Sequence, residues 1–80
     1  MGMPRFYFDF VDGRETGEDA EGIDLPDLTA ARESALETLG EIAKDELPDG
    51  DHREFAITIR EEGGKPLIRA TLSLQVERLD

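Results

Sequence analysis

Residues 23–47 read IDLPDLTAARESALETLGEIAKDEL, and this stretch decides the fold. It contains the only segment whose apolar residues keep a helical period, at Leu28, Ala31, Ala35, Leu39, Ile42 and Ala43. Pro26 disfavours helical geometry in the residue before it, so the helix must begin after a corner. Asp27 is placed to cap the free amides of the first turn. The pattern predicts a helix that ends between residues 45 and 47, before Pro48.

The segment before this stretch predicts one strand, a loop and a short return strand. Residues 5–11 alternate, which places three phenylalanines on one face and Arg5, Tyr7, Asp9 and Val11 on the other. Asp12-Gly13 favours a turn. Residues 14–22 contain Ala20 as their only apolar side chain, and they predict a mobile acidic loop. Residues 23–25 then predict a short return strand in which Ile23 and Leu25 point inward.

The last third of the chain predicts a hairpin. Residues 54–61 and 67–76 both alternate, and Gly63-Gly64 between them is typical of a two-residue loop. That loop places Ile59 opposite Ile68, Ile57 opposite Ala70 and Phe55 opposite Leu72, so both strands present apolar residues on one face. Leu72, Val76 and Leu79 also fit a helical spacing, but we expect a strand that overhangs its partner.

These elements predict a single α+β domain over residues 1–80, in the order β-β-α-β-β. The helix packs on one face of an antiparallel sheet, against Phe6, Phe8, Phe10, Phe55, Ile57, Ile59, Ile68 and Leu72. The opposite face, called the outer face below, presents Arg5, Tyr7, Asp9, Thr58, Arg60, Leu67, Arg69 and Thr71. That face is polar enough to meet water.

The composition excludes several classes of function. Twenty acidic residues against nine basic ones give a formal net charge of −11, which repels phosphate backbones and argues against nucleic-acid binding. The chain has no cysteine, and therefore no disulfide or thiolate metal site. No apolar run approaches the length of a membrane span, and no basic and apolar leader opens the chain. We therefore expect a cytoplasmic protein without membrane contact.

The side chains that carry catalysis are sparse. His52 is the single histidine, in a Gly-Asp-His-Arg loop, and neither Ser34 nor Ser73 lies on the same element. The glycines of the acidic loop lie among carboxylates, the wrong charge for a phosphate site. A second candidate is calcium binding by Asp9, Asp12, Glu15 and Glu18, but their spacing lacks the pattern of an EF-hand loop. We expect no enzyme activity, no cofactor and no specific metal.

One cluster on the outer face is a candidate binding site. Arg5, Tyr7, Arg60 and Arg69 would form a basic and aromatic group on an acidic protein. Ordinary cross-strand pairs, such as Thr58 opposite Arg69, explain the same residues without a ligand. The functional interpretation is a docking surface for another protein or for a second copy of the chain.

The sequence resembles a family of small proteins from soil and plant-associated alphaproteobacteria, catalogued as domain of unknown function 6894. The resemblance is carried by residues 3–8, 12–13, 21–28, 31–35 and 61–68. It extends over nearly the whole chain and implies the fold, but it implies no activity.

A looser resemblance is to the antitoxin domain of HicB type, in which a strand, an acidic turn, a Leu-Pro-Asp-Leu-like corner and an alanine-rich helix recur. Residues 25–28 and 31–35 carry it. The chain ends where such antitoxins usually continue into a DNA-binding segment, so the resemblance implies no repressor activity. Two hypotheses follow: a non-enzymatic interaction or regulatory module that acts through the outer face or an exposed strand edge, and an antitoxin-like acidic inhibitor of a basic toxin or nuclease.

Overall fold

A computed structural model describes residues 2–13, 15–46 and 52–80. The elements are β1 (Arg5–Asp12), β2 (Glu15–Gly17), β3 (Ile23–Asp24), α1 (Leu28–Glu46), β4 (His52–Glu61) and β5 (Pro66–Gln75). All strand pairs are antiparallel, in the order β2-β1-β4-β5, and β3 also pairs with β1. The predicted α+β class, with one helix on an antiparallel sheet, is confirmed. β2 is an additional strand.

The centre of the sheet is the β1–β4 pair, which aligns the two apolar faces. Phe8 lies opposite Ile59 and Phe10 opposite Ile57. The core joins these strands to the helix, and its buried members are Phe6, Ala31, Ala35, Leu39, Ala43, Phe55, Ile57 and Ile59. All eight lie on the faces that the sequence patterns predict.

Small side chains allow the helix to lie close to the sheet. Ala31, Ala35 and Ala43 are buried together with Leu39. Asp27 caps the helix, because its Oδ1 accepts a hydrogen bond of 2.9 Å from the amide of Ala30. The predicted cap and the predicted helix end are therefore confirmed. Leu28, predicted on the inner face, is 38% exposed, because it opens the helix at its first residue.

The β4–β5 hairpin has the predicted register: Ile59 lies opposite Ile68, and Phe55 opposite Leu72. The predicted two-residue loop is wrong. Glu61 and Lys65 close a three-residue loop, in which Gly63 and Gly64 both have positive φ, at 100° and 92°.

The extra residue in the loop shifts the register of the hairpin, and a bulge at the next strand position restores the predicted register. Arg60 lies opposite Pro66, and the register shifts by one residue before Ile59. Proline has no amide to donate at this point. The extra residue of the bulge is Leu67, which was predicted on the outer face. It packs instead against the core, because a bulge redirects side chains.

Three further predictions were wrong. Ile23 is 49% exposed, because it lies in a two-residue strand at the edge of the sheet. Leu72 lies in the predicted strand but is 38% exposed. β5 ends at Gln75, opposite His52, so His52 belongs to a strand backbone and not to a loop. No helix within the described residues is long and apolar enough to cross a membrane.

Candidate functional site

The outer face brings all four predicted binding residues onto the neighbouring strands β1, β4 and β5. Tyr7 on β1 lies opposite Arg60 on β4, and Thr58 on β4 lies opposite Arg69 on β5. Arg5 begins β1, opposite Asp24 of β3. The predicted pair of Thr58 and Arg69 is confirmed, with Arg69 Nε donating to Thr58 Oγ1 over 3.2 Å.

Arg60 forms an ion pair with Asp9 through two hydrogen bonds. Its Nε donates to Asp9 Oδ2, and its second terminal nitrogen donates to Asp9 Oδ1 over 3.0 Å. The guanidinium carbon also lies 5.1 Å from the centre of the Tyr7 ring, within range of a cation–π contact. The hydrogen bonds from Arg60 lower the pKa of Asp9 and outweigh burial, which acts to raise it. The same pairing raises the pKa of Arg60.

Asp19 ties the acidic segment to the sheet. Its carboxylate accepts hydrogen bonds of 3.1 Å from the backbone amides of Phe8, Glu21 and Gly22. Its own amide donates to Asp9 Oδ1 over 3.0 Å, and its carbonyl accepts from Arg60 over 3.1 Å. Burial acts to raise the pKa of Asp19, but these backbone amides and Arg60 lower it overall.

The prediction of a mobile loop for residues 14–22 is therefore wrong in two respects over residues 15–22, and residue 14 lies outside the described residues. Glu15 to Gly17 pair with the end of β1 as β2, although their side chains are exposed. This pairing uses backbone hydrogen bonds and needs no apolar side chain, which is why hydrophobic periodicity did not indicate it. Asp19 then fixes the following residues on Phe8 of β1.

Arg5 holds the end of the same segment. Its Nε donates to Asp24 Oδ1 over 2.9 Å, and a terminal nitrogen donates to the carbonyl of Glu21 over 3.2 Å. The hydrogen bond that Arg5 donates to Asp24 lowers the pKa of the Asp24 carboxyl and raises the pKa of Arg5. Gly22 packs between Arg5 and Tyr7: its φ is +74°, and a Cβ there would lie 2.8 Å from Arg5 Cγ and 3.0 Å from Tyr7 Cε2.

Two of the four predicted binding residues thus already have carboxylate partners inside the chain. Arg5 is paired with Asp24, and Arg60 with Asp9. Their binding role stays a prediction, but a ligand would have to compete with these internal partners. Arg69 is exposed and donates a hydrogen bond to the hydroxyl of Thr58.

The candidate calcium ligands do not converge. Asp9 is engaged by Arg60, and Glu18 reaches the same guanidinium at 3.9 Å while its side chain stays 82% exposed. Across residues 2–13, 15–46 and 52–80, no three His, Cys, Asp or Glu side chains are grouped so that they could hold a metal ion.

The free edge of β5 is an exposed strand edge of the kind that the sequence suggested without indicating which strand would form it. β5 is the last strand in the sheet order, and among the described residues no strand pairs with its far side. Exposed apolar side chains lie on it and beyond it: Leu72 is 38% exposed, Val76 55% and Leu79 88%. The order of the strands is not readable from an amino-acid pattern, so this edge could not be identified in advance.

A shallow groove lies at the start of the same strand. It has a volume of about 270 Å³ and is lined by Thr58, Pro66, Leu67, Ile68 and Arg69. The bulge residue Leu67 contributes to this groove, which is lined by residues of β4 and of the first half of β5.

Comparison with known proteins identifies a family but no individual relative. The family model described as Domain of unknown function (DUF6894) matches residues 5–73, from the first residue of β1 into β5. No curated protein and no solved structure matches the chain.

Proposed function

The chain belongs to the DUF6894 family, a domain of unknown function, and we propose that it is a non-enzymatic interaction or regulatory module that binds protein through the free edge of β5. The observation that carries this proposal is the contrast between the two edges of the sheet. On one side, β1 is covered by the short strands β2 and β3 and by Asp19, and on the other side β5 has no strand partner among the described residues.

The covered edge belongs to β1. β2 pairs with residues 10–12 and β3 with residues 5–6. Between them, the amide of Phe8 donates to Asp19 instead of to a strand. Proteins commonly protect strand edges in such ways, because unpaired amides and carbonyls recruit other strands.

The open edge has little of this protection. β5 has ten residues, of which only Arg69 is charged, and its proline lies at the first position. Residues 70–76 read ATLSLQV and carry no charge in a chain of net charge −11. A long, uncharged edge with exposed Leu72 and Val76 favours addition of a strand from a partner, in which main-chain hydrogen bonds give affinity and alternate side chains give specificity.

The basic and aromatic residues of the outer face then have two different roles in this proposal. Arg5, Tyr7 and Arg60 hold the acidic segment against the covered edge, which their contacts with Asp24, Gly22 and Asp9 support. Arg69 lies on the open strand and is the member of the group that is placed to contact a partner.

The absence of enzyme activity is also a proposal, and it rests on the sequence. There is no cysteine, and the single histidine lies in a different element from both Ser34 and Ser73. General acid–base and nucleophilic catalysis both need such groups in mutual contact. We further propose a cytoplasmic location.

The alternative is an antitoxin-like inhibitor of HicB type that covers a basic toxin or nuclease. It is supported by exposed carboxylates on and after β2, including Glu15, Glu18 and Glu21. Such a surface would attract a basic partner and would bind it less tightly as salt rises.

The two functions are distinguished by capture of partners on immobilised chain. Host lysate is applied to the wild type, to L72K on the open strand and to L36K on the helix, where Leu36 is 44% exposed. The interaction-module proposal predicts that captured proteins are lost with L72K and kept with L36K. Equal capture by both variants would contradict it.

The antitoxin alternative predicts a different pattern in the same experiment. A basic protein would be captured by L72K as well as by the wild type. It would be lost with the double reversal E15K/E18K and released by moderate salt. Capture of basic proteins that is insensitive to the double reversal would contradict this alternative.

A further inference from the structure

We propose that the occupant of the β5 edge is a second copy of this chain, paired antiparallel about a two-fold axis at Ser73. This inference rests on the proposed function, because it specifies which partner the open edge binds. The argument comes from the self-complementarity of residues 69–77.

The faces of the strand restrict how two copies can pair. Ile68 and Ala70 pack toward the helix, whereas Arg69 contacts Thr58 on the outer face. Opposed residues in an antiparallel pair lie on the same face of the sheet. A pairing that set the helix side of one copy against the outer face of the other would place apolar side chains against polar ones. A two-fold axis must therefore lie at a residue and not between two residues.

The axis at Ser73 matches every pair along the segment. On the helix side, Leu72 lies opposite Leu74, and Ala70 opposite Val76 of the second copy. These are apolar pairs, and they cover the exposed apolar side chains of Leu72 and Val76.

On the outer face the same axis pairs polar groups. Ser73 lies opposite its own counterpart, and Thr71 lies opposite Gln75. Arg69 lies opposite Glu77 of the second copy, and the symmetry forms this ion pair twice. Both residues are exposed in the single chain. Opposite charges that face each other across strands stabilise a pair.

The neighbouring axes do not give this match. An axis at Leu72 places Arg69 opposite Gln75 and leaves the charge without a partner. An axis at Leu74 places Arg78 opposite Ala70, on the apolar helix side of the sheet. Complementary charge therefore selects the axis at Ser73.

The ends of the ladder agree with the structure on both sides. The proposed ladder between the two copies ends at Arg69, which is two residues away from the bulge at Leu67. At its other end it extends to Glu77, past Gln75, where β4 no longer provides a partner. Leu79 of the second copy then lies level with Leu67, which lines the groove and offers an apolar surface to a side chain that is 88% exposed in the single chain.

Cysteine cross-linking tests the register directly, because the natural chain has no cysteine. In S73C the two thiols would lie on opposed residues, within the separation that a disulfide requires. In the control T71C, each thiol would lie opposite Gln75, and the two thiols would be about 13 Å apart. We expect mild oxidation to convert S73C, and not T71C, to a covalent dimer.

Charge reversal provides a second measurement, by light scattering over a range of concentrations. Each single variant, R69E or E77R, places like charges opposite each other across the interface. Each should raise the dimer dissociation constant about tenfold or more. The double variant R69E/E77R restores opposite charges and should recover the dimer. Arg69 and Glu77 are exposed, so these changes leave the core intact.

Two results together support the second copy: S73C is cross-linked and T71C is not, and R69E/E77R recovers the dimer that each single charge variant loses. A wild type that stays at the mass of one chain at every concentration would overturn it, as would cross-linking that is equal in S73C and T71C. If the chain is monomeric but L72K still loses captured proteins, only the second-copy inference fails. If L72K loses nothing either, the proposed function fails as well.

Discussion

The carboxylate of Asp19 accepts a hydrogen bond from the backbone amide of Phe8, with 3.1 Å between Phe8 N and Asp19 Oδ2. A side chain here occupies a position that a neighbouring strand would otherwise take. Because it lies between β2 and β3, the contact completes the cover of the β1 edge. The acidic segment thereby becomes part of the sheet, and the open edge of β5 is left at the other side.

Removal of the Asp19 carboxylate should destabilise the fold. In D19A the amides of Phe8, Glu21 and Gly22 lose their acceptor, and we expect the free energy of unfolding to fall by about 2–3 kcal/mol. Urea denaturation measures this loss. The neighbouring E18A is the control, because the Glu18 side chain is 82% exposed and its removal should change stability by less than about 0.5 kcal/mol. Equal midpoints for D19A and E18A would refute the structural role of Asp19.

The lowered pKa values predict a loss of stability in acid. The pKa values of Asp9, Asp19 and Asp24 are lower in the folded chain than the ordinary value of 3.8. Each ionised carboxylate therefore contributes stability above that value, and the contribution is lost as the pH falls through the lower, folded pKa.

The variant D19N isolates one of these contributions. The wild type should be more stable than D19N near neutral pH, and the difference in unfolding free energy should shrink as the pH falls below about 4. Urea titrations of both proteins across this range measure the difference. A difference that stays constant down to the lowest pH would show that the ionised form of Asp19 is not favoured by folding.

Two glycines should respond in opposite directions to the same substitution. G22A places a Cβ 2.8 Å from Arg5 Cγ at a φ of +74°, and it should cost about 1–2 kcal/mol or more. G40A lies in the helix with no atom within 4 Å of the new Cβ, and it should stabilise by about 0.5–1 kcal/mol. Thermal unfolding of both variants measures the two effects. A G22A protein as stable as the wild type would contradict the close packing of Gly22 on Arg5 and Tyr7.

The net charge of −11 predicts a dependence on salt. Screening reduces repulsion among the carboxylates of the compact state, so stability should rise from low to moderate salt. Urea midpoints measured at the two ionic strengths give the effect. Midpoints that do not move would indicate that the ion pairs of Arg5 and Arg60 offset the repulsion.

The parts of the fold that the sequence predicted are those set by periodicity. Ile59 lies opposite Ile68 because two alternating patterns can be matched only in registers that keep both apolar faces together. The cap at Asp27 follows from its place after Pro26. These features depend on residues near each other in sequence or on one simple period.

The features that were missed depend on contacts between distant residues. No local pattern shows that Asp19 binds the amide of Phe8, because the contact exists only once the segment folds back on β1. Pro66 was the signal for the bulge, since a residue without an amide interrupts a ladder. The candidate residues Tyr7, Arg60 and Arg69 were placed correctly on one face, but the carboxylate partners of Arg5 and Arg60 were not foreseen.

Amide hydrogen exchange measured by NMR at increasing protein concentration tests most directly the claim that the β5 edge binds a second copy. In residues 69–77, the amides that point away from β4 should exchange fast in dilute solution and become protected as concentration rises. Protection should fail to develop in R69E and should return in R69E/E77R. If these amides exchange as fast as those of an unstructured peptide at every concentration, the β5 edge binds no second copy.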